Sequence, residues 1–466
     1  MEPRAETEYQ EALDFLFGRI NFERSINMPY NRSELKLDRM SQLLQLAGNP
    51  EQDQKIIHIA GTKGKGSTSH FVSAILTSAG YRTGRFTSPH LYHVEERFAV
   101  DGNACSPEEL LDCIRELRPI VEEMDQQAER KGGHGPTYFE ITTAIALVYF
   151  KRSQTDFTVL EVGLGGRLDS TNVCNPMVSI ITSISFDHTR QLGFTLESIA
   201  REKAGIIKAG VPVISGIDRP EADQVIQQIA AENAAPLARL GDDFRINYHP
   251  PRQLATGNPH IDYFEGQASE PLFSSAIGSL GRHQAANAAL AVAASKCLID
   301  RGARIEIEEI KRALAATQCP ARIERVEQCP TVILDTAHNV ASMEALCDVL
   351  SESNCPRPTV LIFASTRGKD IRGMMHGLVN RFKHIICTRY VSNPRGVPVD
   401  ELTRHAQQVA DEESRSIEIT ACASPDRAWE HARALAGNEG LICVTGSFFI
   451  AAEIGAAYHR IAKAPE

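Results

Sequence analysis

Short apolar runs alternate along the chain with longer stretches in which apolar residues recur at helical spacing. The first such run, Lys55–Ala60 ("KIIHIA"), is followed by a helical pattern over Ser67–Ala79. Repeated alternation of buried strands and amphipathic helices is the pattern of a mostly parallel sheet covered by helices. The sequence therefore predicts an α/β fold.

This pattern continues through the first half of the chain. Its predicted strands are Lys55–Ala60, Arg82–Thr87, Phe157–Val162, Val178–Ser183 and Val211–Ser215. Its predicted helices are Ser67–Ala79, Pro107–Gln127, Tyr138–Lys151 and Leu196–Lys203, with two earlier ones over Thr7–Phe17 and Leu35–Ala47 joined by residues 18–34.

The pattern breaks down between residues 245 and 280 into Pro, Gly, Asn and Ser, which predicts loops or a short hairpin. An alanine-rich helix over Gly281–Lys296 comes next. A second series of strands is predicted at Thr331–Asp335, Thr359–Phe363, His384–Cys387, Ile417–Thr420 and Leu441–Thr445. We therefore predict two domains, 1–318 and 319–466, of which the second is a smaller Rossmann-like α/β domain.

Composition narrows the class of protein. A chain of 466 residues with 42% hydrophobic and 23% charged residues can bury two cores, and it has no apolar stretch of the about 20 residues that a membrane span needs. The N-terminus lacks a basic segment followed by an apolar one, so we expect a cytoplasmic protein. The eleven cysteines form no CxxC pair and are predicted to be reduced, and a net charge of −10 argues against nucleic acid.

The stretch "IIHIAGTKGKGSTSHF" (residues 56–71) carries the first candidate chemistry. An apolar strand leads into Gly61, Gly64 and Gly66 and then into a helix, and Lys65 lies among the glycines. Glycines let backbone N–H groups surround a polyphosphate, the helix N-terminus attracts anions, and a lysine contacts the outer phosphates. The spacing differs from G-x-x-x-x-G-K-[ST], because Gly66 follows Lys65. The alternative is a simple turn between strand and helix.

Further motifs occur in order over nearly the whole chain. They are "FTSPHL" (86–91) with "EERF" (95–98), "TYFEITTA" (137–144), "LEVGLGGRLDSTN" (160–172), "FDHTRQLGFTLESIAREKAGIIK" (186–208), "GRHQAANAALA" (281–291), "DTAHN" (335–339) and "VTGS" (444–447). Together with the phosphate loop, they resemble the folylpolyglutamate synthase/dihydrofolate synthase family, of the bifunctional bacterial type, in the Mur ligase superfamily. The chain departs from the family pattern at Lys63, at Ser170 and across residues 336–340.

This resemblance implies an ATP-dependent amide ligase. Such an enzyme adds L-glutamate to dihydropteroate, to folate (poly)glutamates or to both, through an acyl phosphate, and releases ADP and phosphate. The implied cofactors are ATP and two Mg²⁺ ions. The implied partners are these small molecules, without nucleic acid or membrane, and we expect a monomer. A site divided between two domains would also imply closure on binding.

The resemblance also implies roles for individual residues. The implied nucleotide ligands are the loop residues Gly61, Thr62, Lys63, Gly64, Lys65, Gly66, Ser67 and Thr68, with Asn287 for adenine, Arg322 for the γ-phosphate and Asp335 for ribose. The implied metal ligands are Ser88 and Glu161 for one Mg²⁺ and His188 for the other. Lys65, Lys203 and His338 are the implied catalytic residues, with Lys203 carbamylated, and Thr137, Phe139 and Asp169 are the implied contacts to dihydropteroate.

Each role has a structural alternative. Glu161 can be a strand-end carboxylate paired with a lysine, His188 a structural histidine, and Lys203 a surface lysine paired with Glu197 or Glu202. Phe139 can be a core residue and Asp169 the cap of a turn with Gly166. Arg322, Asp335 and Asn287 can be a surface arginine and two caps.

Two other functions remain open. A cell-wall Mur ligase would share the loop, but it normally carries an N-terminal nucleotide-sugar domain, and only about 50 residues precede the loop here. A nucleotide-switched binding protein would show no glutamate-dependent turnover of ATP.

Overall fold

The structure is a computed structural model that describes residues 3–21 and 37–462. Most of the predicted segment 18–34 lies outside these ranges. The chain forms two compact units, one of residues 1–246, 263–273 and 286–314 and the other of residues 247–262, 274–285 and 315–466. These units interleave along the sequence, whereas the predicted domains are continuous, so the boundary between residues 318 and 319 stays a prediction.

The first unit contains an eight-stranded sheet of order β4-β3-β2-β5-β1-β6-β7-β8. Its strands are β1 (Ile56–Ala60), β2 (Thr83–Phe86), β3 (Phe98–Val100), β4 (Asn103–Ala104), β5 (Phe157–Glu161), β6 (Val178–Ile181), β7 (Val213–Ser215) and β8 (Leu237–Arg239). Strand β1 lies between β5 and β6 and is parallel to both. Because parallel strands end at the same edge of a sheet, the loops after β5, β1 and β6 are neighbours.

Helices cover this sheet. They are α1 (Pro3–Phe17), α2 (Leu37–Leu46), α3 (Lys65–Ser78), α4 (Pro107–Arg130), α5 (Tyr138–Arg152), α6 (Thr189–Leu192), α7 (Leu196–Lys203) and α8 (Pro220–Glu232), followed by α9 (Arg282–Ile299) and α10 (Ile307–Ala316). Local sequence fixes several starts: α4 begins at a Ser106/Glu109 capping box with Pro107 in its first turn. Apolar side chains on both faces of the sheet form buried cores around Leu160 and Ile181.

A three-stranded sheet of order β11-β10-β9 forms where loops or a short hairpin were predicted. Its strands are β9 (Phe244–His249), β10 (His260–Glu265) and β11 (Phe273–Ala276). Buried Tyr248 lies between the exposed polar residues Asn247 and His249. In a sheet with one solvated face, only about half of the positions are apolar. Its strands therefore contain no continuous apolar run by which the sequence would predict them.

The second unit contains a six-stranded sheet of order β12-β13-β17-β14-β15-β16, parallel except for β12. Its strands are β12 (Glu324–Gln328), β13 (Thr331–Leu334), β14 (Thr359–Phe363), β15 (His384–Cys387), β16 (Glu418–Ala421) and β17 (Leu441–Thr445). Its helices are α11 (Val340–Glu352), α12 (Ile371–Leu378), α13 (Val399–Glu412), α14 (Pro425–Ala436) and α15 (Phe448–Ala462). The α/β fold class is confirmed.

In the ranges that the structure describes, no helix combines the length and the apolar character needed to cross a membrane.

Candidate active site

The loop after β1 has a conformation that requires glycine. Gly61 and Gly64 have φ angles of 152° and 85°, and Gly64 is the N-cap of α3. A Cβ at Gly61 would overlap the hydroxyl of Thr182, and one at Gly64 would overlap the amide oxygen of Asn287. The backbone therefore turns tightly, and the N-terminus of α3 faces the loop, which is the geometry that binds phosphate.

Residues after β6 hold this loop in place. Thr62 N–H donates to the Ser183 carbonyl (2.8 Å), Lys63 N–H donates to Ser183 Oγ (3.0 Å), and Thr182 Oγ1 donates to the Lys63 carbonyl (2.6 Å). The Lys63 side chain reaches Asp187 Oδ2 at 3.4 Å. Thr182, Ser183 and Asp187 are not among the residues predicted from the sequence. The available signal was the pair of hydroxyl residues that directly follows the apolar run of β6.

Two lysines point at one oxygen atom of the loop. Lys65 Nζ and Lys203 Nζ donate to the Gly61 carbonyl at 3.2 Å and 2.9 Å. Lys203 is 4% exposed, so it is not a surface lysine, and Glu202 pairs with Arg167 (2.7 Å). Burial, with a smaller contribution from Lys65, lowers the pKa of Lys203 to about 7.

Glu161 ends β5 beside the phosphate loop. It is 4% exposed, and its Oε2 accepts the N–H of Ser88 (3.1 Å), which follows β2. Gly66 in the first turn of α3 lies against the same carboxylate, since a Cβ there would be 3.4 Å from Oε2. The structure therefore brings Ser88, Glu161 and the loop together.

The remaining residues predicted around the phosphates lie on α3 and after β6. Ser67 and Thr68 are buried in the first turn of α3, and Thr68 Oγ1 has no hydrogen-bond partner among the described residues. His188 follows Asp187 on the loop that Lys63 reaches. Its backbone is left-handed (φ 48°), and its side chain is 57% exposed.

The residues predicted to bind dihydropteroate lie on α5 and after β5. Thr137 is the N-cap of α5, and its hydroxyl donates to Glu140 (2.8 Å). The partly buried Phe139 ring lies 5.9 Å from that of Phe86. Asp169 is buried, its N–H donates to the Gly166 carbonyl (3.1 Å), and it caps the 3₁₀ helix Ser170–Val173. The turn-capping alternative for Asp169 thus describes its local structure.

In the second unit, Arg322 lies between two residues with strained backbone. Ala321 and Ile323 have φ angles of 50° and 52°, a left-handed conformation that is rare for a β-branched side chain. Arg322 Nη1 donates to the hydroxyl of Thr336. Backbone strain of this kind is concentrated at functional sites.

Asp335 and His338 follow β13. Asp335 is buried and accepts the N–H groups of Ile323 (3.1 Å) and Ala337 (2.8 Å), and burial raises the pKa of its carboxyl. His338 Nδ1 lies 2.9 Å from the Thr336 carbonyl. A carbonyl only accepts, so Nδ1 carries a proton, and in the neutral imidazole Nε2 is the acceptor.

Comparison with known proteins gives the family. Residues 59–295 match the Mur ligase middle domain, and residues 321–448 match the Mur ligase glutamate ligase domain. The chain is 34% identical over 450 residues to the dihydrofolate synthase/folylpolyglutamate synthase of Bacillus subtilis, covering 96% of this chain and 98% of that protein. The chain belongs to the Mur ligase family. It belongs there with the dihydrofolate synthases/folylpolyglutamate synthases and is an ATP-dependent ligase that forms carbon–nitrogen bonds.

Solved structures of Mur ligase family members agree with this assignment. The folylpolyglutamate synthase of Mycobacterium tuberculosis complexed with ADP and AMPPCP is 30% identical, with a TM-score of 0.83 over 99% of this chain and 100% of that chain. Escherichia coli FolC in complex with DHPP and ADP is 29% identical, with a TM-score of 0.77 over 98% of each chain. The cell-wall Mur ligases are relatives only at the level of the superfamily, and that alternative is set aside.

The donor set of this Mur ligase fits magnesium held together with a nucleotide. In residues 3–21 and 37–462, no group of three or more His, Cys, Asp or Glu side chains is arranged to hold a metal ion. Mg²⁺ in nucleotide sites is usually bound by one or two protein oxygen ligands, with phosphates and water completing the octahedron. Glu161 and Ser88 beside the phosphate loop provide such oxygens.

Proposed function

We propose that this enzyme is a bifunctional dihydrofolate synthase and folylpolyglutamate synthase. It uses ATP to add L-glutamate to dihydropteroate and to folates that already carry glutamate. The observation that carries the proposal is the convergence of Lys65, Lys203 and Glu161 on the phosphate loop, in a chain that matches enzymes bearing both names over nearly their whole length.

The proposed reaction begins with phosphoryl transfer. A substrate carboxylate attacks the γ-phosphorus of ATP, ADP leaves, and an acyl phosphate forms. Lys65, the N–H groups of the loop and the N-terminus of α3 hold the phosphates and offset their charge. Bound Mg²⁺, held by Ser88, Glu161 and His188, would supply further charge neutralisation. Because hydrogen bonds with Thr182 and Ser183 hold the loop in place, positioning rather than covalent chemistry lowers the barrier.

Amide formation completes the reaction. The amine of L-glutamate attacks the acyl carbon, and the tetrahedral intermediate expels phosphate. His338 is the proposed acceptor of the amine proton, since its Nδ1 donates to Thr336 and Nε2 is the accepting nitrogen. Arg322 is proposed to bind the γ-phosphate, Asp335 the ribose hydroxyls and Asn287 the adenine.

We further propose that Lys203 is carbamylated. Only a neutral amine attacks CO₂, and burial brings the pKa of Lys203 to about 7, so the neutral form is abundant near neutral pH. The carbamate would replace an ammonium that repels Lys65 and magnesium with an anion that attracts both. This supports a role for Lys203 in orienting the metal and the phosphates.

For the acceptor substrate, we propose that Phe139 stacks on an aromatic ring of dihydropteroate and that Thr137 and Asp169 form the neighbouring wall. We also propose that the enzyme acts on these small molecules as a monomer, which light scattering would test.

The direct test is phosphate release from ATP with L-glutamate, Mg²⁺ and either dihydropteroate or tetrahydrofolate, with mass spectrometry of the products. Glutamate-dependent release with both acceptors is the expected result. Release with tetrahydrofolate alone would reduce the proposal to polyglutamylation and remove the roles of Thr137 and Asp169. No glutamate-dependent release with either acceptor would refute the folate assignment.

A further inference from the structure

The carboxylate of Asp169 accepts hydrogen bonds from residues of its own loop. Oδ1 accepts the N–H (3.0 Å) and the hydroxyl (2.5 Å) of Thr171, and Oδ2 accepts the N–H of Leu164 (3.0 Å). A carboxylate has about four acceptor positions, and these three donors occupy most of them. Asp169 therefore acts on the backbone of residues 163–164.

That backbone supports the ring of Phe139. A Cβ at Gly163 would be 2.5 Å from Cζ of Phe139 and 2.9 Å from Cε1, so the ring lies directly on the Gly163 backbone. Movement of residues 163–164 would therefore move or release the ring. The geometry of the Phe139 surface depends on the hydrogen bonds that Asp169 makes.

A buried histidine on the central strand continues this network. His58 is fully buried on β1, and its Nε2 lies 2.8 Å from the hydroxyl of Thr171. Burial raises the pKa of Asp169, but the hydrogen bonds from Thr171 and Leu164 oppose that rise and favour the carboxylate. A carboxylate can only accept, so the single hydroxyl proton of Thr171 is donated to Asp169. The hydroxyl oxygen must therefore accept a hydrogen bond from the N–H group at His58 Nε2.

The protonation state of His58 agrees with this direction. Burial, and in second place Lys208, lowers the pKa of His58 to about 3, so the ring is neutral and carries one proton. Nδ1 is buried and has no hydrogen-bond partner among the described residues. The ring therefore makes one directional hydrogen bond, from Nε2.

We infer that His58 is a positioning residue for the acceptor substrate. Its Nε2–H orients the hydroxyl of Thr171, the hydroxyl holds Asp169, and Asp169 fixes the backbone on which Phe139 rests. The ligand class is the fused-ring aromatic part of a pteroate. The inference rests on the proposed function, because it takes Phe139 as the stacking surface, and it adds a residue with no access to the substrate.

The kinetic test compares His58→Leu, which removes the donor, with His58→Gln, whose side-chain N–H group reaches a similar position. We expect His58→Leu to raise KM for dihydropteroate about tenfold, because it leaves a buried hydroxyl without its donor. KM for ATP and kcat should change less than about twofold. His58→Gln should recover KM to within about threefold of the wild type.

Thr171→Val provides the coupled variant. It should raise KM for dihydropteroate at least as much as His58→Leu, because it removes the hydroxyl that contacts both His58 and Asp169. The His58→Leu/Thr171→Val double variant should be no worse than Thr171→Val alone, because His58 acts through that hydroxyl. Additive effects would overturn the inference. Equal rises in KM for ATP and for dihydropteroate would also overturn it, since they would indicate a general structural defect.

A second measurement does not depend on turnover and uses a variant only to assign one signal of the wild-type protein. In ¹⁵N-histidine-labelled wild-type protein, the signal absent from the His58→Gln spectrum should be a neutral imidazole protonated at Nε2, with that proton protected from exchange. A ring protonated at Nδ1 would overturn the inference. If the tautomer is as expected but dihydropteroate is not turned over, the proposed function fails while the hydrogen-bond network stands.

Discussion

Lys203 and Lys65 place two amines around the carbonyl oxygen of Gly61. Burial and mutual repulsion disfavour the second charge, so Lys203 loses its proton near pH 7 rather than near 10.5. Between these values the unfolded chain holds more protons than the folded one. This group's contribution to stability is therefore complete above about pH 10.5 and is lost as pH falls to about 7.

The neutral amine leads to a prediction about CO₂. In protein depleted of CO₂, added bicarbonate should increase ligase activity at pH 8 more than at pH 6, because only the deprotonated amine of Lys203 reacts. Lys203→Arg keeps the charge but cannot be carbamylated, and we expect it to lower kcat about 100-fold. Lys208→Arg, the same change at a partly buried lysine, should leave kcat close to that of the wild type. An active Lys203→Arg enzyme would contradict carbamylation.

Burial also disfavours the charged form of Asp335, and because this group is an acid its pKa is raised rather than lowered. Its carboxylate accepts the N–H groups of Ile323 and Ala337 and the hydroxyl of Thr445. Asp335→Ala leaves these buried donors without an acceptor, so we expect a loss of about 2 kcal/mol or more in the free energy of unfolding, measured in urea. Asp348→Ala, an exposed aspartate on α11, should change it by less than about 0.5 kcal/mol. Equal effects of the two substitutions would contradict this role.

At the level of elements, the start of α3 defines the phosphate loop. Gly64 and Gly80 both have φ of 85°, but Gly64 faces the amide of Asn287 whereas Gly80 has nothing within 4 Å. An alanine at Gly80 therefore introduces only backbone strain, whereas an alanine at Gly64 introduces backbone strain and steric overlap with Asn287.

We expect Gly64→Ala to raise KM for ATP at least about tenfold, since the loop must shift to admit the methyl group. Gly80→Ala costs the left-handed strain of about 1–2 kcal/mol in stability and leaves KM for ATP unchanged. Steady-state kinetics and urea unfolding of both variants measure the two effects. A normal KM in Gly64→Ala would show that the loop does not need this conformation.

At the level of the whole molecule, each unit has its own buried cores, and nucleotide binding adds to the stability that those cores provide. A ligand that binds only the folded state at about 100 times its Kd stabilises it by about 2.7 kcal/mol. The proposed role of Glu161 as a magnesium ligand would make part of that effect depend on magnesium.

Thermal unfolding with ATP should therefore show a larger rise in Tm with Mg²⁺ than with EDTA. In Glu161→Gln this difference should fall by more than half, because an amide oxygen is a weaker magnesium ligand than a carboxylate. Glu197→Gln, a change of another carboxylate in the same unit, should behave as the wild type. Equal Tm shifts with Mg²⁺ and EDTA in the wild type would contradict the magnesium site.

The sequence by itself determined the α/β class, the parallel strands and the glycine-rich loop between β1 and α3. These are local features: an apolar run such as Ile56–Ala60, three glycines and a capping box are legible without their neighbours. Strands β9 to β11, whose sheet has one solvated face, were not predicted from the sequence, because only half of their residues are apolar.

Only the tertiary structure decided which candidate residues contact one another. The convergence of Lys65 and Lys203 on Gly61 joins residues 138 positions apart, and the His58–Thr171–Asp169 network joins a central strand to a distant loop. Sequence spacing cannot encode such contacts, since they depend on which strands are adjacent in the sheet. Burial, which sets the charge of Lys203 and His58, exists only once the sheet and its helices have packed.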